Sequence, residues 1–322
     1  MGFTGRDILA LEDFSKAELL AVLKTSLLFS QMYDPQLLQG KLLASLFFEP
    51  STRTRLSFEA SMKKLGGNVI GFSDWKDTSI QKGEDLQDTI KVIDGYSDVI
   101  VIRHPDNGSA HAAAQIAKAP VINGGDGSNQ HPTQTFVDLF TIFQSHGSLD
   151  GFSIGFLGDL KYGRTVHSLV KALKHFDVDM YFISPQELKM PRGVLDVVPP
   201  HRIKKETNDL YEVAGELDFV YATRIQKERF LVEEDYAKIS SGYKLGMGFL
   251  TKAKKSVKIM HPLPRVGELQ HELDESTNAL YFQQAHNGIP VRMALLSLVL
   301  GYAQDVLDHG VVKSDVGLPI HH

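Results

Sequence analysis

The stretch FFEPSTRTR, residues 47–55, gathers side chains that bind anions. Ser51, Thr52 and Thr54 bring hydroxyls, and Arg53 and Arg55 bring guanidiniums. The apolar run Leu42 to Phe48 has the length of a buried strand, and Pro50 ends it. Ser51 is a good N-cap for a helix with Phe58, Met62 and Leu65 on one face and Gly66-Gly67 as its stop. A helix start offers unpaired N–H groups and the positive end of a dipole, which suits phosphate. Cations in that turn oppose the dipole, so arginines there serve an anion better than they serve the helix.

The same residue types recur wherever a strand pattern ends. Arg103-His104-Pro105 follows one strand, and the loop after the next closes in His131-Pro132-Thr133-Gln134. Further on come Lys161-Tyr162-Gly163-Arg164, Thr223-Arg224-Ile225-Gln226 and His261-Pro262-Leu263-Pro264-Arg265. In open parallel sheets ligands bind beyond the carboxyl ends of the strands. No strand end carries an acidic cluster suited to a divalent metal, since Asp159 stands alone. A cationic, metal-free site fits multiply anionic substrates, with arginine as the two-pronged grip on carboxylate or phosphate. Lys82 in QKGE reads, taken singly, as a solvated loop charge. Gly155 and Gly158 raise a dinucleotide site, but GFLGDLKYG does not match GxGxxG.

The elements that must position these groups alternate between strand and helix. Helices are expected over Ser15–Gln31 (with a Ser15/Glu18 capping box), Glu84–Gly95, Ala110–Lys118 and His131–Ser145. Strands are expected at Asn68–Phe72, Asp98–Ile102 and Pro120–Asn123, with a polar loop over residues 73–83. After the turn Ser148–Gly151 the alternation restarts. Strands at Phe152–Leu157, Asp179–Ile183, Leu217–Ala222 and Ser256–Met260 are separated by helices at Arg164–Phe176 and Asp209–Ala214 and a proline-rich connection. Tyr243–Lys255 reads as a mobile, closing loop, Val291–Val306 as a final helix and Gly310–His322 as a poorly structured tail. Such alternation implies parallel sheets with right-handed crossovers, in two α/β domains joined near residues 135–150.

Composition narrows the class. The 322 residues carry 34 basic and 39 acidic side chains, a net charge of −5, which argues against a general nucleic-acid binder. There is no cysteine, so disulfides, thiolate catalysis and cysteine-based zinc sites are excluded, and a cytoplasmic enzyme is expected. The N-terminal stretch shows no apolar signal core. Val291–Leu300 is broken by Arg292 and Ser297 and is too short to span a bilayer, so no membrane role is expected.

The chain resembles the catalytic chain of the aspartate carbamoyltransferase family. The matching stretches are FFEPSTRTRLSFE, QKGE, VIRHP, GDGSNQHPTQTFVDLFTI, GDLKYGRTVHSLVKAL, YATRIQKERF, HPLPRVGEL and YFQQAHNGIPVRMALL, spread over roughly residues 45 to 300. The resemblance implies the carbamoyltransferase fold: two doubly wound parallel-sheet domains joined by interdomain helices. Residues 1–135 would bind carbamoyl phosphate, with the helix 288–307 packing back on them, and residues 150–286 would bind aspartate. It implies carbamoyl transfer from carbamoyl phosphate to L-aspartate, as in pyrimidine biosynthesis, without a cofactor or metal. Ser51, Thr52, Arg53 and Thr54 would hold the phosphate. Thr54, Arg103 and His131 would lie on the carbonyl oxygen and Gln134 on the amide nitrogen, with the turn containing Leu263 and Pro264 orienting the amide. Arg164 and Arg224 would grip the aspartate carboxylates, supported by Gln226. Ser79 and Lys82 would come from a neighbouring subunit of a homotrimer with shared active sites. Whether a regulatory chain joins stays open. The nearest rival, ornithine carbamoyltransferase, has HCLP where this chain has HPLP, and two arginines repel a cationic acceptor. A non-catalytic anion-binding homologue would not need every one of these groups. The wording of HNGIP and VRM has no functional account at this level.

Overall fold

The computed structural model describes residues 2–127, 129–225 and 243–302. Gln226 and the expected tail lie outside them. The chain divides into two units, Met1–Phe140 with Asn287–His322, and Thr141–His286.

In the first unit, helix α1 (Lys16–Gln31) starts at the expected capping box: Glu18 N–H donates to Ser15 Oγ and the Ser15 N–H donates to Glu18. Its buried face is Leu19, Val22, Leu23 and Phe29, and the buried hydroxyls of Thr25 and Ser26 donate back to Ala21 and Val22 carbonyls. Four parallel strands follow: β1 (Leu42–Phe47), β2 (Asn68–Phe72), β3 (Val99–His104) and β4 (Val121–Asp126). Between them lie α2 (Thr52–Lys64), α3 (Leu86–Asp94, capped by Asp85) and α4 (Ser109–Ile116). The sheet order is β2-β1-β3-β4, so the chain winds one way from β1 and returns to the other side at β3. The topological switch point therefore falls between β1 and β3, the position where open sheets bind ligands. Residues 73–83 are not a featureless loop but carry two 3₁₀ turns, Trp75–Asp77 and Ser79–Lys82.

The second unit repeats the winding. Its parallel strands are β5 (Phe152–Leu157), β6 (Val178–Ile183), β7 (Ile203–Thr207), β8 (Phe219–Ala222) and β9 (Lys258–Met260), in the order β7-β6-β5-β8-β9. The switch point lies between β5 and β8, whose ends align at Leu157 and Ala222. Gly158 continues β5 at φ +113, and a Cβ there would meet the Thr223 carbonyl at 2.4 Å, so only glycine lets the two strand ends approach.

Helix α5 (Pro132–His146) begins in the first unit, and α6 (Arg164–Leu173) and α7 (Arg192–Leu195) lie in the second. The expected helix at Asp209–Ala214 is instead two 3₁₀ turns, Leu210–Glu212 and Ala214–Glu216. Strand β7 was hidden in the proline-rich connection because its sequence, IKKET, is polar, as suits a sheet edge. Tyr243–Lys255 is not an open loop: Leu245 bridges to Leu269, Phe249 is buried, and α8 (Met247–Leu250) forms between them. Helix α9 (Tyr281–His286) precedes α10 (Gly288–Val299), which starts before the expected Val291. Residues 303–306 of that expected helix lie outside the described residues. Helix α10 packs on α1 and α2, burying Val291, Leu295, Leu296 and Leu298, each worth about 1.5–3 kcal/mol against exposure.

Candidate active site

In the first unit, β1 delivers the chain to the start of α2. Ser51 sits at the N-cap, but its side chain makes no capping hydrogen bond, and the first turn holds no acidic residue. The structure thus departs from the simple capping expectation in the direction an anion would require: hydroxyl and helix N–H groups share the turn. Thr52 and Arg53 are exposed. The Arg53 guanidinium has no hydrogen bond or ion pair among the described residues, and desolvation lowers its pKa. Arg55 points along the helix to Glu59 at 3.2 Å, away from any role at the helix start.

Thr54 is buried, and its Oγ1 lies 3.4 Å from His131 Nε2, joining the start of α2 to the start of α5. Arg103, at the end of β3, is oriented by an ion pair with Glu49 at 2.6 Å and by donation to the Gly124 carbonyl at 3.2 Å. Gln134 donates through Nε2 to Asp138 Oδ1 at 2.8 Å. One organiser escaped the sequence reading. Asp126 is buried and accepts from the Gly108 and Gln130 N–H groups and from the Asn123 and Asn129 amides, at 2.8–3.1 Å. That knot ties the loop that carries His131. The NGGD run ahead of it was the available signal.

In the second unit, Arg164 opens α6 behind Gly163, with no acid in the first turn. The turn before it is shaped by Asp159, which is buried and accepts from the Lys161 and Tyr162 N–H groups. Thr223 and Arg224 follow β8, and the Thr223 hydroxyl donates to the Leu157 carbonyl at 3.1 Å. The topology therefore brings Arg164 and Arg224 to the ends of the switch-point strands. Gln226 is not described.

The HPLP turn follows β9. Leu263 N–H donates to His261 Nδ1 at 2.8 Å, which leaves His261 Nε2 as the protonated nitrogen, 2.7 Å from Glu268. Burial pushes the Glu268 carboxyl up, but donation from His261 Nε2, with backbone N–H groups, outweighs it and holds the pKa at about 2. Leu263 itself takes φ +56, a left-handed conformation rare for leucine, and the Leu263–Pro264 peptide is cis. Arg265 is a structural brace, in a two-pronged ion pair with Asp274 and over the Tyr281 ring.

Ser79 and Lys82 are exposed on the second 3₁₀ turn of residues 73–83. Among the described residues no group of three His, Asp or Glu side chains could hold a metal, and no helix is long and apolar enough to cross a membrane. The arrangement offers hydroxyl, imidazole and guanidinium donors around a helix start in one unit, and guanidiniums after the switch-point strands in the other.

Known proteins share this plan. The family model described as "Aspartate/ornithine carbamoyltransferase, carbamoyl-P binding domain" matches residues 6–144, and "Aspartate/ornithine carbamoyltransferase, Asp/Orn binding domain" matches residues 150–299. The aspartate carbamoyltransferase catalytic subunit of Thermococcus gammatolerans is 54% identical over 306 residues, covering 94% of this chain and 99% of that protein. Among solved structures, the catalytic subunit of M. jannaschii aspartate transcarbamoylase superposes with a TM-score of 0.87 at 46% identity, covering 93% of this chain and 98% of that one. Aspartate transcarbamoylase from Trypanosoma cruzi in complex with carbamoyl phosphate and aspartate gives a TM-score of 0.86 at 37% identity, covering 92% and 96%.

Proposed function

The chain belongs to the aspartate/ornithine carbamoyltransferase family, and we infer from this premise that it transfers the carbamoyl group of carbamoyl phosphate to L-aspartate. The products are N-carbamoyl-L-aspartate and phosphate. The observation that carries the chemistry is the buried contact between Thr54 and His131 at the start of α2, beside an uncapped Ser51. Relatives named for aspartate, and the HPLP turn with Arg164 and Arg224, favour aspartate over ornithine as acceptor.

Ser51, Thr52, Arg53 and Thr54 hold the phosphate at the helix start. Thr54, Arg103 and His131 direct donors to the carbonyl oxygen, and Gln134 meets the amide, with Leu263 and Pro264 on the turn that orients it. Arg164 and Arg224 grip the aspartate carboxylates, and Gln226 supports them. The neutral amine attacks the carbamoyl carbon, and negative charge develops on the carbonyl oxygen. The C–O bond to phosphate then breaks, and the departing phosphate accepts the amine's proton. Arg53 stabilises that leaving group.

Ser79 and Lys82, exposed on their turn, complete the site of a neighbouring subunit in a homotrimer. Mixing Arg53→Ala with Lys82→Ala under subunit exchange should then restore part of the activity that each lacks; no recovery would refute the shared site. The reaction is assigned to the cytoplasm and to pyrimidine biosynthesis. The direct test supplies carbamoyl phosphate with aspartate or with ornithine and separates the products. Carbamoyl aspartate is the expected product; turnover with ornithine alone overturns the reading.

A further inference from the structure

The closing helix α10 contains an anomaly that the proposed chemistry does not use. Val291, Met293, Ala294, Leu295 and Leu296 are all buried, and among them Arg292 is buried too, at 3% exposure. A fully enclosed guanidinium is costly without a partner of opposite charge. Burial pulls its pKa down to about 10, and the charge of Asp138 opposes that fall, so Arg292 stays a cation at neutral pH. Asp138, on α5, is itself at 0% exposure. Arg292 Nη1 also donates to the Gly288 carbonyl at 3.2 Å, and its guanidinium lies 5.0 Å from the Phe58 ring centre on α2. The fit is close: a Cβ on Gly288 would sit 2.4 Å from Nη1. Arg292 therefore packs on α2, whose first turn carries Ser51–Thr54, and feels the charge of Asp138 on α5, whose first turn carries His131–Gln134.

The consequence falls on Gln134, one turn before Asp138. A carboxylate only accepts hydrogen bonds, so the Gln134 group facing Asp138 at 2.8 Å must be the amide nitrogen. Its oxygen is left to point elsewhere, as an acceptor. We propose that Arg292 and Asp138 are positioning residues that fix the Gln134 amide with its oxygen toward the substrate, and so make the site select a carbamoyl NH₂ group. This rests on the reading that Gln134 meets the amide of carbamoyl phosphate. A fixed acceptor favours a ligand bearing N–H and gains nothing from an acetyl group of the same shape, which leaves the acceptor unpaired. Asparagine at 138 could present either end to Gln134, and the preference would blur.

The test compares carbamoyl phosphate, acetyl phosphate and inorganic phosphate on the intact protein. In wild type, formation of carbamoyl aspartate comes first: if there is none, the functional reading and this inference fall together. Asp138→Asn should raise the KM for carbamoyl phosphate roughly tenfold, the worth of one hydrogen bond, while inhibition by acetyl phosphate and by inorganic phosphate stays put. In a Gln134→Ala background the same change should add less than about twofold, because its route is already cut. Equal losses in both backgrounds, or all three ligands weakening together, would show a merely structural role and overturn the inference while leaving the function intact. The neutral pair Asp138→Asn with Arg292→Met leaves no lone buried charge and covers the case in which a single variant does not fold. It should lose the preference for carbamoyl over acetyl phosphate; if it keeps the wild-type preference, the inference is wrong.

Discussion

Each unit carries candidate groups after the strand pair where the sheet order reverses, β1 and β3 in one and β5 and β8 in the other, with further groups after β4 and β9, but the units brace them differently. In the first unit the candidate groups interlock. Thr54 meets His131, Arg103 is clamped by Glu49 and the Gly124 carbonyl, and Asp126 knots the loop ahead of His131. In the second, the braces lie in the surrounding turns: Asp159 before Arg164, His261 with Glu268 under the HPLP turn, Arg265 with Asp274 beyond it. The difference follows from the work assigned to each. Donors that stabilise charge as it develops must already be in place, since rearranging them at that moment would raise the barrier. Guanidiniums that grip carboxylates act already in the ground state and lower KM. The first unit should therefore govern turnover, and the second the affinity for the acceptor.

The largest break in that comparison is Arg53→Ala. Removing a group that stabilises charge in the transition state costs about a hundred- to thousandfold in rate, so kcat should fall by that factor with native mass and thermal melting unchanged. Near-normal turnover would show that the start of α2 is not the site of charge stabilisation.

The next effect belongs to the second unit and is read by pH. The Glu268 carboxyl has an ordinary pKa of 4.5 and is held at about 2 in the folded chain. A depressed carboxyl stabilises the fold fully above its unfolded pKa and loses that contribution as pH falls through its folded one. The window is therefore pH 4.5 down to about 2, and the contribution is about 3 kcal/mol at 1.36 kcal/mol per pKa unit. Urea unfolding across that range should show wild type losing more stability than Glu268→Gln; parallel curves would remove Glu268 as the brace of the turn.

The smallest effect is a control on a helix that itself carries no candidate group. Ser15→Ala removes the capping box of α1 and should cost about 1 kcal/mol of stability, with kcat and both KM values unchanged.

Much of this plan was legible in residue order. Pro50 and Ser51 mark a strand-to-helix turn by local chemistry alone, a continuous apolar run located β1, and helical spacing located α1 and α2. What escaped depended on partners distant in sequence or on burial. β7 reads as a polar connector because an edge strand needs little apolar character. Tyr243–Lys255 reads as open because glycines and lysines dominate it, whereas Leu245 and Phe249 seat it on the core. Local pattern placed Glu268 beside the HPLP turn but could not show that it faces His261. Arg292 looked like a flaw in an apolar helix until Asp138 and Phe58 appeared around it. The switch points, too, emerge only once strand order is known.

The division of labour between the units is tested most directly by initial rates of Arg224→Ala over a grid of both substrate concentrations. The loss of a charged, two-pronged contact is worth about 1.5–3 kcal/mol, so the KM for aspartate should rise by roughly ten- to a hundredfold. The KM for carbamoyl phosphate should stay within about threefold of wild type, the resolution at which independent sites add. A rise confined to carbamoyl phosphate, or equal rises for both substrates, would contradict the assignment of phosphate to one unit and carboxylates to the other.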